Sequence, residues 1–189
     1  MRQRVRAVVL LAALGAGAGC APSPAAQQQT APQRRVIRMP RNIIGGFRPA
    51  FGNLTLNAER TIEGSSDRYE LFTRWTGEAR VDVQPGESLV IAADSQEFKF
   101  KVLESGIYRD FQCEPRCTYD DRAYYPATRE QVEAIANAKH VTVRLVGSKQ
   151  TVERDFNEVN FERFREFVQK NKPPAAPPAP ATGSPSIPK

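Results

Sequence analysis

Apolar and polar residues alternate in a series of short runs from residue 54 onward, and the period changes twice to that of a helix. Leu54, Leu56 and Ala58 alternate with Thr55 and Asn57. Tyr69, Leu71, Thr73 and Trp75 alternate with Glu70, Phe72 and Arg74. A period of two sends successive side chains to opposite faces of a strand, so each run predicts a strand with one buried face. Pro85-Gly86 is a turn, and Leu89 and Ile91 begin a short apolar strand after it. Asp94-Ser95 reverses the chain into Phe98, Phe100 and Val102, which alternate with Lys99 and Lys101. From Ile107 to Ala127 the alternation fails, and the segment reads as a long irregular stretch.

The first change of period follows. Thr128-Arg129-Glu130-Gln131 matches a capping box, in which Gln131 reaches back to the Thr128 amide. Val132, Ile135 and Ala136 then recur at helical spacing, and the helix should end near Ala138. Val141–Val146 is β-branched and apolar, and Gln150–Phe156 alternates again. With Ser148-Lys149 as a two-residue loop, Leu145 opposes Val152, Val141 opposes Phe156 and Arg144 opposes Glu153. The same register sets Val143 opposite Arg154, a mismatched pair. Asn157 can cap a closing helix whose stripe is Phe161, Phe164 and Val168, with Phe167 beside it. The expected fold class is α+β: one domain over residues 43–171, with an antiparallel sheet of about five to seven strands covered by two helices.

The flanks have a different composition. Residues 20–42 begin with a Pro/Ala/Gln-rich stretch that cannot repay ordering, and a basic collar follows, Arg34, Arg35, Arg38 and Arg41 with Arg48 just beyond. The collar reads either as a solvated leader or as a surface for anionic head groups. Residues 172–189 form a Pro-rich tail with no core-forming side chains, read as disordered. At the start, Arg2, Arg4 and Arg6 precede an apolar run from Val8 to Gly19, which ends at Cys20. Twelve residues are too few to span a bilayer, which takes about 20, and the pattern is that of an export signal over residues 1–19.

This arrangement, with Gly17-Ala18-Gly19-Cys20 at its end, resembles the signal of bacterial lipoproteins. Gly17 stands where that family usually carries a larger apolar residue, and Ala16-Gly17-Ala18 also fits ordinary signal-peptidase cleavage. The resemblance implies lipid attachment at Cys20, and Ala21 after it implies sorting to the outer membrane, facing the periplasm. The domain is also similar to uncharacterised bacterial envelope lipoproteins with a Tyr-x-[Ile/Ala]-Thr-x-x-x-[Leu/Val] entry to a short helix. Here that entry is Tyr125-Pro126-Ala127-Thr128 through Val132, and it implies no activity.

Charge and cysteines then narrow the function. The chain carries a net charge of +6, of which Arg2, Arg4 and Arg6 leave with the signal. About +3 remains, which argues against a nucleic-acid partner. With Cys20 set aside, Cys113 and Cys117 form a pair in an oxidising compartment, and a structural disulfide is expected. No second Cys or His pair completes a zinc set, no Gly-rich phosphate loop or dinucleotide fingerprint is present, and no metal or cofactor is expected. Tyr108, Phe111, Tyr119, Tyr124 and Tyr125 cluster with Asp120 and Asp121 near the cysteines. They read either as rings that cap the core edge or as a partner-contacting surface. His140 is the only histidine, and no nucleophile elbow accompanies it. The expectation is a non-enzymatic binding, assembly or structural component of the envelope, with the membrane and an envelope protein as partners. The alternatives are an enzyme on envelope polymers that uses Asp120, Asp121 or His140, and a secreted periplasmic protein without lipid.

Overall fold

A computed structural model describes residues 33–47, 52–114 and 116–172, all within the second of two units of the chain, Pro32–Lys189. The signal, Cys20, most of the tether and the Pro-rich tail lie outside the described residues, as do Arg48 of the collar and Pro115. The elements are β1 (Arg34–Arg38), β2 (Asn53–Glu63), β3 (Ser66–Gly77), β4 (Gly86–Ala93), β5 (Gln96–Val102), β6 (Ile107–Cys113), β7 (Cys117–Ala127), α1 (Arg129–Asn137), β8 (Val141–Val146), β9 (Thr151–Asp155) and α2 (Glu158–Lys170). Every strand pairing is antiparallel. The fold class is the expected one, mainly antiparallel sheet with two helices. Its strands form two sheets, one of five in the order β1-β2-β3-β7-β6 and one of four in the order β5-β4-β8-β9.

The nine strands exceed the five to seven expected for two reasons. Residues 107–127, expected to be irregular, form the β6–β7 ribbon. Six of the seven β6 residues are exposed on an edge strand, so no apolar alternation marks it. In β7 the buried positions include Asp121, which breaks an alternation otherwise carried by Ala123 and Tyr125. The sheet also begins upstream of Ile43. β1 lies within the basic collar and pairs with β2, Arg34 opposite Glu63 and Arg38 opposite Glu59.

Where the pattern was clear, the structure follows it. Leu54, Leu56, Ala58, Tyr69, Leu71 and Trp75 point inward and join Leu89, Ile91, Phe100 and Val102 in one core. The β8–β9 register is the expected one: Leu145 opposes Val152 and Arg144 opposes Glu153. The Phe156 amide donates to the Val141 carbonyl at 2.9 Å. Arg154 does face inward beside Val143, and edge strand β9 makes that tolerable. Its aliphatic stem lies beside Gly45, while its guanidinium donates to the Glu153 carbonyl at 2.8 Å.

Both helices start as expected. Thr128 and Gln131 complete the capping box of α1, and Val132, Ile135 and Ala136 are buried. On α2, Phe161, Phe164 and Phe167 are buried, and Phe156 meets the first two rings at 5.2 Å each. Asn157 caps α2, with Asn160 as its reciprocal partner. The buried Asn160 has its full complement of bonds. Its amide donates to Asn42 Oδ1 at 2.7 Å and to the Ile43 carbonyl at 2.8 Å. Its Oδ1 accepts from the amides of Asn157 and Gly45 at 2.9 and 3.3 Å. The approach to β2 is thereby tied to the closing helix, and no buried amide group of Asn160 is left unpaired.

Two close approaches fix the periphery. Trp75 is buried and donates from Nε1 to the Ala79 carbonyl at 2.8 Å. A Cβ at Gly52, whose φ is +76°, would lie 2.3 Å from the Trp75 ring, so only glycine fits there. A Cβ at Gly147 would lie 1.9 Å from the Val81 carbonyl oxygen. At that point the β8–β9 loop nests against the β3–β4 connection, with the Ser148 amide donating to the Asp82 carbonyl at 3.0 Å.

Candidate functional site

The alternation of strand side chains separates the residues grouped by sequence. Asp120 and Asp121 are neighbours on β7 and face opposite sides of the sheet. Asp121 is fully buried. Its Oδ2 accepts from the amides of Val81 and Asp82 at 2.9 Å each, so it organises the connection between the two sheets. Tyr125 is also fully buried, with its hydroxyl 3.1 Å from Ser88 Oγ, and burial pushes its pKa up. Neither residue can meet a partner, which corrects the expectation for both. Phe111 and Tyr119 stack at 4.9 Å near the tip of the ribbon, with the Arg80 guanidinium 5.1 Å from the Tyr119 ring centre. They share the face of Ile107 and Ala123 and so lie opposite to Tyr108 and Tyr124. The Cys113–Cys117 disulfide is formed across the end of the ribbon, where the two residues oppose each other.

The outer face of the five-stranded sheet holds the rest. Tyr124 sits between Phe72, its partner across β3 and β7, and Tyr108 on β6, with ring centres 4.8 and 6.0 Å away. Tyr108 is 55% exposed. On one side of these rings Asp120 receives two forked hydrogen bonds. Arg74 donates to its two oxygens at 2.9 and 2.6 Å, and Arg122 does so at 3.0 and 2.6 Å. Burial alone would raise the Asp120 pKa, but the bonds from Arg122 and Arg74 outweigh it and hold the carboxyl below its usual range. On the other side Arg38 Nε donates to Glu59 at 2.6 Å. A groove of about 370 Å³ runs between this pair and the rings, lined also by Glu70 and Pro126.

The chain matches no family model, no curated protein and no solved structure. The geometry of this face is therefore what bears on function. By strand alternation the face carries Arg34, Arg38, Arg68, Arg74 and Arg122 against Glu59, Glu63, Glu70, Asp110 and Asp120. The charges balance, and four of the arginines are held in ion pairs on the face.

Phe72, Glu59 and Glu70 were missed by sequence reasoning, and Arg38 was read only as part of the basic collar. Phe72 did carry a signal: it is an aromatic on the polar phase of a strand whose apolar phase is Tyr69, Leu71, Thr73 and Trp75. His140 lies elsewhere, exposed at the start of β8, where its backbone amide and carbonyl bond to Asp94 at 2.9 Å each. Among the described residues, no group of three or more His, Cys, Asp or Glu could hold a metal ion. Among the same residues, no helix is long and apolar enough to cross a membrane.

Proposed function

We propose that the chain is an exported lipoprotein of the cell envelope, anchored through Cys20, and that it acts as a binding or assembly component facing the periplasm. The charged start, the short apolar run and the terminal cysteine support the anchor, and Ala21 supports the outer membrane as its destination. The Cys113–Cys117 disulfide supports residence in an oxidising compartment.

One observation carries the binding role. The outer face of β3, β7 and β6 bears an aromatic cluster open to solvent, framed by ion pairs that fix its neighbours. Rings held in place supply contact area with little entropy left to lose on binding. Photo-crosslinking in living cells tests the role, with a photoreactive residue placed at Tyr108 or, as a control, at exposed His140. Discrete adducts are expected from position 108 and not from position 140. Equal adducts from both positions refute the role of this face, as does the absence of adducts from either together with no ligand bound by the unaltered protein. Mass spectrometry of the mature N-terminus tests the anchor. A diacylglycerol-bearing Cys20 is expected, and an unlipidated chain beginning at Gly19 refutes it.

A further inference from the structure

Resting on the reading of the outer sheet face as a binding surface, we infer that the groove beside Tyr124 binds a neutral saccharide chain. The charge balance of the face selects the ligand. Five arginines and five carboxylates share the face, so it presents no net field to a polyanion or an anionic head group. What remains is short-range chemistry. Tyr108 and Tyr124 offer ring surface of the kind that packs against the C–H face of a pyranose, in the way aromatic rings cover other apolar surfaces. Glu70 borders the rings with no hydrogen bond or ion pair among the described residues, and an ionised carboxylate accepts from two adjacent hydroxyls at once. The Arg38–Glu59 pair adds a fixed donor and acceptor on the opposite wall.

This is the composition of a small-molecule site, apolar surface with a few placed polar groups. The shape favours a chain over a single ring. The groove shares Glu70 and Pro126 with a second depression of about 510 Å³ that includes Arg68 and Thr128. The two depressions adjoin at Glu70 and Pro126 near the end of the sheet, and an extended ligand could reach from one to the other. Because Tyr124 is braced by Phe72 and Tyr108, the site exists before the ligand arrives.

Calorimetric titration of the mature protein tests this, using tetramers of β-1,4-linked N-acetylglucosamine, of cellulose and of amylose as separate probes. Saturable binding of at least one probe is expected. Tyr108→Ala and Tyr124→Ala should each weaken it roughly tenfold, as for a stacking contact at a binding centre. Raising the salt from about 50 to about 500 mM should change the affinity less than about twofold, because no net charge is neutralised. Three results overturn the inference: no probe binding at about 10 mM, tenfold above a millimolar dissociation constant; affinity unchanged by both substitutions; or affinity that collapses with salt. Tyr108 is exposed, so its alanine variant keeps the fold and decides the matter if Tyr124→Ala does not. If crosslinking at position 108 captures a protein while no tetramer binds, the binding role stands and the saccharide falls.

Discussion

Asn160 shows how much one polar side chain can hold. It is 1% exposed, and its amide serves a helix cap, the backbone before β2 and a second buried asparagine at once. Removing it leaves several buried partners unpaired, each costing about 1–3 kcal/mol. Asn160→Ala should therefore destabilise the domain by roughly 3 kcal/mol, read as a lowered urea midpoint with unchanged slope. A loss within the error of the extrapolation would show that water replaces these bonds. Sequence reasoning reached Asn157 as the cap but not Asn160, because its partners Asn42 and Ile43 are more than a hundred residues away. Tyr125 and Asp121 were misplaced for a related reason. Composition alone does not show which face of a strand a residue takes when the strand itself is not seen.

At the scale of elements, legibility followed contrast. The β8–β9 hairpin could be read to the register because one face is apolar and the loop is short. The β6–β7 ribbon could not, because an exposed edge strand has no apolar phase to read. The ribbon's disulfide closes a loop whose ends already oppose each other in the ladder. Its contribution by restraint of the unfolded chain is at most about 2 kcal/mol for so short a loop. Replacing both Cys113 and Cys117 by Ser should lower the melting temperature by only a few degrees, about 8 at most for a domain this size. Hydrogen exchange should speed up at the ribbon tip and not in β3. Equal loss of protection in β3 would give the bridge a role in the whole sheet.

For the whole molecule, several carboxylates set the response to acid. Asp67 is held below its usual pKa by the hydrogen bonds from Arg60, against burial. Asp82 is held low by Ser148 Oγ and by Arg109, and Asp120 by Arg122 and Arg74 against a larger burial effect. The unfolded chain takes up these protons first as pH falls. Stability from the three is complete above the ordinary aspartate value of about 4 and is lost as pH drops through the lower folded values. The urea midpoint should stay level from about pH 7 to about 5 and then fall, and Asp120→Asn should flatten that fall while lowering the plateau. A midpoint unchanged down to about pH 2 would contradict the assignment.

The lone tryptophan has a practical consequence. Trp75 is sealed on the inner side of the sheet against Gly52 and Gly77, while the groove beside Tyr124 lies on the outer side. Its fluorescence should be blue-shifted in the native protein, move to the red on unfolding, and stay in place when the outer face is occupied. The chain thus carries an internal optical gauge of folding that is blind to occupancy, and a surface variant that fails to bind can be told from one that fails to fold without adding a label.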